Sequence, residues 1–390
     1  MFKVLTYNSI SVQGLDRFTR DNYEVASQIS TPDAILLRSH VLSEDDLLPS
    51  VSAIARAGAG TNNIPVAACS RKGIVVFNTP GANANAVKEL VLCGMLLSSR
   101  GIIGGINYVN SLTHMTDAEE MAKLLEKEKK NFKGGEIKGK TLGVVGLGAI
   151  GSLVAEMGLM LGMKVIGYDP ALSVEAAWRL PSEVVRMENL TSLMSKADFI
   201  SLHLPVLEAT RHLINSTTLS NVKPGARILN FAREQIVDTK AVVEALDAGQ
   251  LDRYITDFPM PELLNRKDVI AMPHIGASTE EAEDNCAIMA ADQLRDFLES
   301  GNIINSVNFP TTKLERVKGY RLTVCNQNVP KMLGQVLSIL ADADINVIDM
   351  INKSRDDIAY NIIDLEQEPN DQVLEQIKGI KDVIKVRVIK

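Results

Sequence analysis

The 390-residue chain has only four cysteines, Cys69, Cys93, Cys286 and Cys325, and no C-x-x-C pair. Their wide spacing argues against a zinc cluster or a disulfide framework; no metal is expected, and a reducing, cytoplasmic setting is. Long apolar runs are missing as well: nothing approaches the roughly 18 consecutive apolar residues a membrane span needs, so no membrane partner is expected. The opening MFKVLTYNSI reads as a strand rather than a signal peptide. Positive charge is short, 41 Lys+Arg against 48 Asp+Glu for a net charge of −7. A concentrated positive field, the basis of general nucleic-acid affinity, is therefore not expected, although a local basic pocket could still hold a small anion.

What is present is the composition of a folded enzyme-sized chain, 46% hydrophobic and 23% charged. That length exceeds one ordinary core, so two or three globular domains are expected. Short apolar segments FKVLTY, AILLRS (34–39), SAIARAG (52–58) and GIVVFN (73–78) alternate with helical stretches, the pattern of a parallel sheet with crossover helices. Apolar residues at helical spacing predict a long helix over 84–99, and the Lys/Glu-rich 116–133 reads as a solvated helix and linker.

At Lys140 the pattern becomes specific. Strand TLGVVG meets Gly146-Leu147-Gly148-Ala149-Ile150-Gly151, a helix follows, and strand MKVIGYD ends at Asp169. The three glycines suit a tight turn, a close pyrophosphate approach and a helix–strand contact, and the acid suits a ribose diol. Asp169 would repel a 2′-phosphate, which favours NAD over NADP. Further strands at 197–205, 226–232, 253–258 and 269–273 place Leu204, Phe231, Arg233, Asp257 and His274 at carboxyl ends, where ligands of open α/β sheets gather; of these, Leu204, Phe231 and Asp257 are expected to contact the cofactor. A final helix over about 279–299 and a linker at 305–319 lead to a β-α-β-β-α-β unit, the ferredoxin-like order.

Oxidising a secondary alcohol with NAD requires a base, a cation for the neighbouring carboxylate and a positioned cofactor. His274, in Pro-His-Ile-Gly-Ala-Ser-Thr, is the candidate base; of the other histidines only His203 lies beside a plausible cofactor segment, and a purely structural histidine stays open. Glu262, twelve residues earlier, would orient the imidazole, with an exposed loop glutamate as the alternative. Arg233 could clamp a carboxylate through two parallel N–H bonds, or form a surface salt bridge.

The segments IARAGAGTNNI, GLGAIG, ARxxIVD and PHIGAST, in this order, resemble the D-isomer-specific 2-hydroxy acid dehydrogenases over roughly residues 1–310. The resemblance implies an α/β architecture: a flavodoxin-like substrate domain (1–95, completed by about 278–304) and a Rossmann-type NAD-binding domain (96–277). It also carries the family's Arg-Glu-His trio onto Arg233, Glu262 and His274. Arg38 and Arg56 end strands of the first domain and suit a substrate phosphate, although either could instead brace the domain. Gly58-Ala59-Gly60 resembles the family's carboxylate-facing loop.

After a linker (305–318), residues 319–390 resemble an ACT domain, an amino-acid-sensing module. Asn326, Asn328 and Asn346 correspond to its L-serine site, with Asn326 where His is usual and Lys331 where Gly is common; a purely structural dimerisation role stays open. The implied reaction is oxidation of 3-phospho-D-glycerate to 3-phosphohydroxypyruvate, the first step toward serine, in a homodimer or homotetramer. Another D-2-hydroxy acid dehydrogenase or 2-keto acid reductase, and an NAD-sensing corepressor, remain as alternatives. Glu234-Gln235 departs from the glycine-rich pair common after the family's Arg, and the larger domain inserted in long relatives is absent.

Overall fold

The computed structural model describes residues 1–389, the side chain of Glu175 excepted. The chain divides into two compact units, residues 1–83 with 280–389, and residues 84–279.

In the first unit, β1 (Phe2–Thr6), β2 (Tyr23–Ala26), β3 (Ala34–Leu37), β4 (Ala53–Arg56) and β5 (Val75–Phe77) form a parallel sheet in the order β2-β1-β3-β4-β5. This is the flavodoxin-like order. Every residue of β3 is buried because a parallel sheet is covered on both faces. Side chains alternate accordingly: Ile35 and Leu37 pack with Leu42, Leu47 and Ile64, whereas Ala34 and Leu36 face Ala290, Leu294 and Phe297. The last three lie on the helix Glu280–Ser300, whose buried positions recur at helical spacing.

The same unit contains an antiparallel sheet of β13 (Tyr320–Gln327), β14 (Val347–Arg355), β15 (Ile358–Leu365) and β16 (Val383–Ile389), in the order β14-β15-β13-β16. With the helices Met332–Asp342 and Asp371–Lys378 this is the expected ferredoxin-like unit. One sheet face carries Cys325, Tyr360 and Ile362 into the core around Phe297 and Phe309. Arg321, 1% exposed, meets both oxygens of Asp364 at 2.6 and 2.8 Å and donates to the carbonyls of Ser300, Leu314 and Glu315. A buried charge is tolerable when its partners are this complete. The expected linker over 305–318 is no free tether: Asn308 bonds Val76 N and Ile74 O, and Phe309 is fully buried.

The second unit holds β6 (Thr141–Val145), β7 (Lys164–Tyr168), β8 (Val185–Arg186), β9 (Phe199–Leu202), β10 (Ala226–Asn230), β11 (Leu251–Thr256) and β12 (Val269–Ala271). They are all parallel, in the order β12-β11-β10-β9-β6-β7-β8. The order reverses between β6 and β9, and the glycine loop leaves β6 at that switch point. The helix Ala84–Ser99 was expected to stay largely with the first domain, but it belongs here. Val87, Val91 and Met95 share a core with Leu142, Val144 and Leu229, and a Cβ on Gly94 would lie 3.0 Å from Ile255, which is why this helix position is glycine. Among the described residues, no single helix is long and apolar enough to cross a membrane.

Candidate active site

In the second unit, β6 runs into Gly146 at φ 89°, where a side chain would be strained and would also meet the His203 carbonyl at 2.5 Å. A Cβ on Gly151 would collide with the Gly146 carbonyl. Gly148 differs: nothing stands within 4 Å of where its Cβ would be, and it caps the helix Ala149–Met160. The first-turn N–H groups of Ala149, Ile150 and Gly151 are thus available to an anion in an open approach. Asp169, just past β7, accepts from the N–H groups of Leu147 (2.8 Å) and Ala171 (2.9 Å), which fixes its carboxylate beside the loop with acceptor capacity to spare. A cavity of about 660 Å³ adjoins it, lined by Leu147, Asp169, Pro170, Leu172, Trp178 and Arg186 among others.

Leu204 lies against the same loop, near Gly146. The other two residues expected to contact the cofactor, Phe231 and Asp257, also make contacts within the unit. Phe231 is buried with the Ala84–Ser99 helix, where aromatic surface is best hidden. Asp257, 2% exposed, accepts the N–H groups of Ile275 (2.8 Å) and Gly276 (2.7 Å). Its carboxylate therefore clamps the loop that carries His274. That clamp explains the backbone there: His274 sits at φ 57°, an uncommon conformation for a non-glycine residue that the surroundings must impose. The exposed imidazole rests against Phe258, ring centres 5.0 Å apart.

Arg233 and Glu262 belong to the same unit and are both exposed. Arg233 donates to the Ala232 carbonyl at 2.6 Å, and Asn230 holds the Arg233 carbonyl at 3.0 Å. Glu262 lies in the short turn Pro261–Leu263. Among the described residues Glu262 and His274 are not hydrogen-bonded to each other; the imidazole packs on Phe258. His203 is held differently from His274. Its Nε2 lies 2.8 Å from Ser201 Oγ, Nδ1 is shut off from solvent without a partner, and burial pushes the ring down to about 3, so it stays neutral.

In the first unit, Arg56 ends β4 and Arg38 follows β3, with Leu37 and Arg56 register partners. Arg56 Nε donates to the Arg38 carbonyl at 3.1 Å, and its guanidinium covers Gly58, where a Cβ would collide with Nη1. Gly58 has φ 155°, and the loop through Ala59 and Gly60 is tied down by Asn78 Nδ2 on the Ala59 carbonyl (2.6 Å) and Thr79 N on the Gly58 carbonyl (3.1 Å). Neither tie is visible from motif spacing.

The three amides of the ferredoxin-like domain are not brought together. Asn326 is buried, accepts from Asn361 and donates to the Gln327 carbonyl, so it belongs to an amide ladder across the sheet. The Asn328 N–H meets the Asp357 carbonyl, whereas the Asn346 carbonyl accepts the Glu366 N–H. These lie at opposite ends of β15, roughly 30 Å apart at the rise of a strand.

Residues 106–276 match the D-isomer specific 2-hydroxyacid dehydrogenase NAD binding domain, and residues 320–382 match the ACT domain. A D-3-phosphoglycerate dehydrogenase of Haemophilus influenzae is 31% identical over 366 residues, covering 90% of this chain and 85% of that one. The chain belongs to the D-isomer specific 2-hydroxyacid dehydrogenase family. A D-3-phosphoglycerate dehydrogenase of Methanocaldococcus jannaschii is 35% identical over 340 residues, 84% of this chain; the chain spans only 61% of that relative's length. The structure of NAD+-bound 3-phosphoglycerate dehydrogenase from Entamoeba histolytica superposes with TM-score 0.61 at 28% identity, covering 79% of this chain and 98% of that one. The residues present fit the family's NAD: the uncrowded Gly148 leaves room for a pyrophosphate at a helix N-terminus, and Asp169 is fixed where a ribose diol can donate to it.

Proposed function

We propose that this chain oxidises 3-phospho-D-glycerate to 3-phosphohydroxypyruvate, the first step toward serine. The observation that carries the reading is the adjacent pair Arg38 and Arg56 beside the pinned Gly58–Gly60 loop, in a chain whose other unit is this family's NAD-binding domain. A 2-hydroxy acid with a single carboxylate needs one bidentate cation, which Arg233 supplies; two further guanidinium groups suit a phosphate. NAD, when bound, accepts hydride from C2. His274 removes the hydroxyl proton, Glu262 steadies the imidazolium that results, and Arg233 holds the carboxylate. Asp257 acts at one remove by fixing the loop on which His274 stands.

The test is NADH formation with 3-phosphoglycerate beside D-glycerate and D-lactate, for the wild type and an Arg38→Ala, Arg56→Ala double variant. A strong phosphoglycerate preference that the double variant loses is expected. Equal turnover of the unphosphorylated acids by the wild type would overturn the substrate and leave a broader D-2-hydroxy acid dehydrogenase.

L-serine is the proposed effector of the ACT domain, and a homo-oligomer the proposed assembly. Since Asn328 and Asn346 lie at opposite ends of β15, a ligand held by both requires two copies of the domain. Among the described residues β14 is an outer strand with a free edge for such pairing. The helix Ile102–Ser111 also exposes Ile103, Ile106 and Val109, an apolar face suited to a second chain.

A further inference from the structure

The arginine expected to receive phosphate already has an anion. Arg38 Nη2 donates to Glu283 Oε1 at 2.6 Å, and both side chains are about two-fifths exposed, so a solute can reach the pair. Glu283 is placed there by two features of the first unit. It stands in the first turn of the helix Glu280–Ser300, where the helix dipole favours a carboxylate. The next residue, Asp284, accepts from Ser11 Oγ and from Gln13 Nε2, which fixes how that turn faces the sheet. One turn on, Cys286 is a buried thiol that desolvation holds above its ordinary range, so it adds no negative charge. Arg38, Arg56 and Glu283 together thus carry a formal charge of +1 rather than +2.

We infer that Glu283 sets the affinity of the phosphate subsite: its carboxylate holds the Arg38 guanidinium, and a substrate phosphate must displace it to bind there. This rests on the reading of Arg38 as a phosphate ligand. A phosphate dianion carries twice the charge of a carboxylate and three acceptor oxygens, so it can take Arg38 from Glu283. The neutral hydroxymethyl end of D-glycerate cannot, and it leaves the ion pair closed. The pair therefore lowers affinity only for a ligand that takes Arg38, so Glu283 weakens phosphate binding there and leaves D-glycerate untouched.

The experiment compares Glu283→Gln, Glu283→Asp and Arg38→Ala with the wild type. Three quantities are measured: the KM for 3-phosphoglycerate, the KM for D-glycerate, and the dissociation constant of inorganic phosphate from calorimetry on the full chain. Removing an exposed ion pair of this kind is worth a factor of about two to five. In Glu283→Gln, the phosphoglycerate KM and the phosphate dissociation constant should both fall by that factor, the D-glycerate KM should not follow, and Glu283→Asp should move back toward the wild type. Unchanged or weaker phosphate binding in Glu283→Gln, with Arg38→Ala still impairing it, would overturn the role of Glu283 and leave the phosphate site standing. If Arg38→Ala changes neither phosphate measurement, the phosphate reading of Arg38 fails first. An equal shift in both substrates would mark Glu283 as merely structural and overturn the inference too.

Discussion

His203 and His274 show how far one residue type can diverge within one unit. His274 is exposed on a loop held by two backbone bonds to Asp257, whereas His203 is enclosed, bonded to Ser201 and left with an unpartnered nitrogen. Burial lowers His203 to about 3, from an ordinary value near 6.5. The unfolded chain therefore takes up a proton below about pH 6.5 that the folded one refuses until about pH 3, and stability falls with pH through that window. By pH 5 this should cost about 2 kcal/mol, at about 1.4 kcal/mol per unit. Urea unfolding at pH 7 and pH 5 checks it: His203→Gln should lose that part of the acid sensitivity, and an unchanged pH dependence would mean the ring is protonated without penalty.

Residue identity also marks the limit of reading motifs. Gly146 and Gly151 of the β6 loop could be read from the sequence because each answers a local steric demand, Gly146 at positive φ and Gly151 against the Gly146 carbonyl. The work of Asp257 could not. Its position at a strand end suggested a cofactor contact, and only the return of the chain at Ile275 and Gly276 gives its carboxylate two donors. Glu283 and Arg38 are likewise 245 residues apart, so no spacing rule connects them.

Among elements, the helix Glu280–Ser300 unites most of the first unit. Its apolar stripe covers the parallel sheet, its first turn carries Glu283, and its last carbonyls are taken by arginines of the ferredoxin-like domain. Arg321 donates to Ser300, and Arg387 lies over the Phe297 ring at 4.3 Å and donates to the Leu298 carbonyl. These arginines satisfy groups that a helix C-terminus leaves open. Arg321→Ala would strand Asp364 as a buried, unpaired charge, a loss of about 3–5 kcal/mol. Replacing both partners, Arg321→Met with Asp364→Leu, should recover much of it. Urea denaturation distinguishes the two, and a loss below about 1 kcal/mol in the single variant would show the pair to be dispensable.

For the whole molecule, the proposed serine effector and the proposed homo-oligomer are testable together through the geometry of one sheet. With Asn328 and Asn346 at opposite ends of β15, serine binding that uses both must draw on two chains. Serine should therefore shift sedimentation toward the larger species, and Asn346→Ala should abolish the shift; serine binding with no change in sedimentation would place the ligand within one domain. The sequence by itself determined the alternation of strands and helices, the β-α-β glycine loop and the β-α-β-β-α-β tail, because periodicity and steric demands act within a few residues of the chain. Only the tertiary structure decided that the Ala84–Ser99 helix belongs with the second unit, that residues 305–318 pack rather than swing, that Asp257 holds the His274 loop and that Glu283 faces Arg38. Each of these depends on contacts between segments far apart in the chain, where complementary surfaces and charges, rather than local propensity, set the free energy.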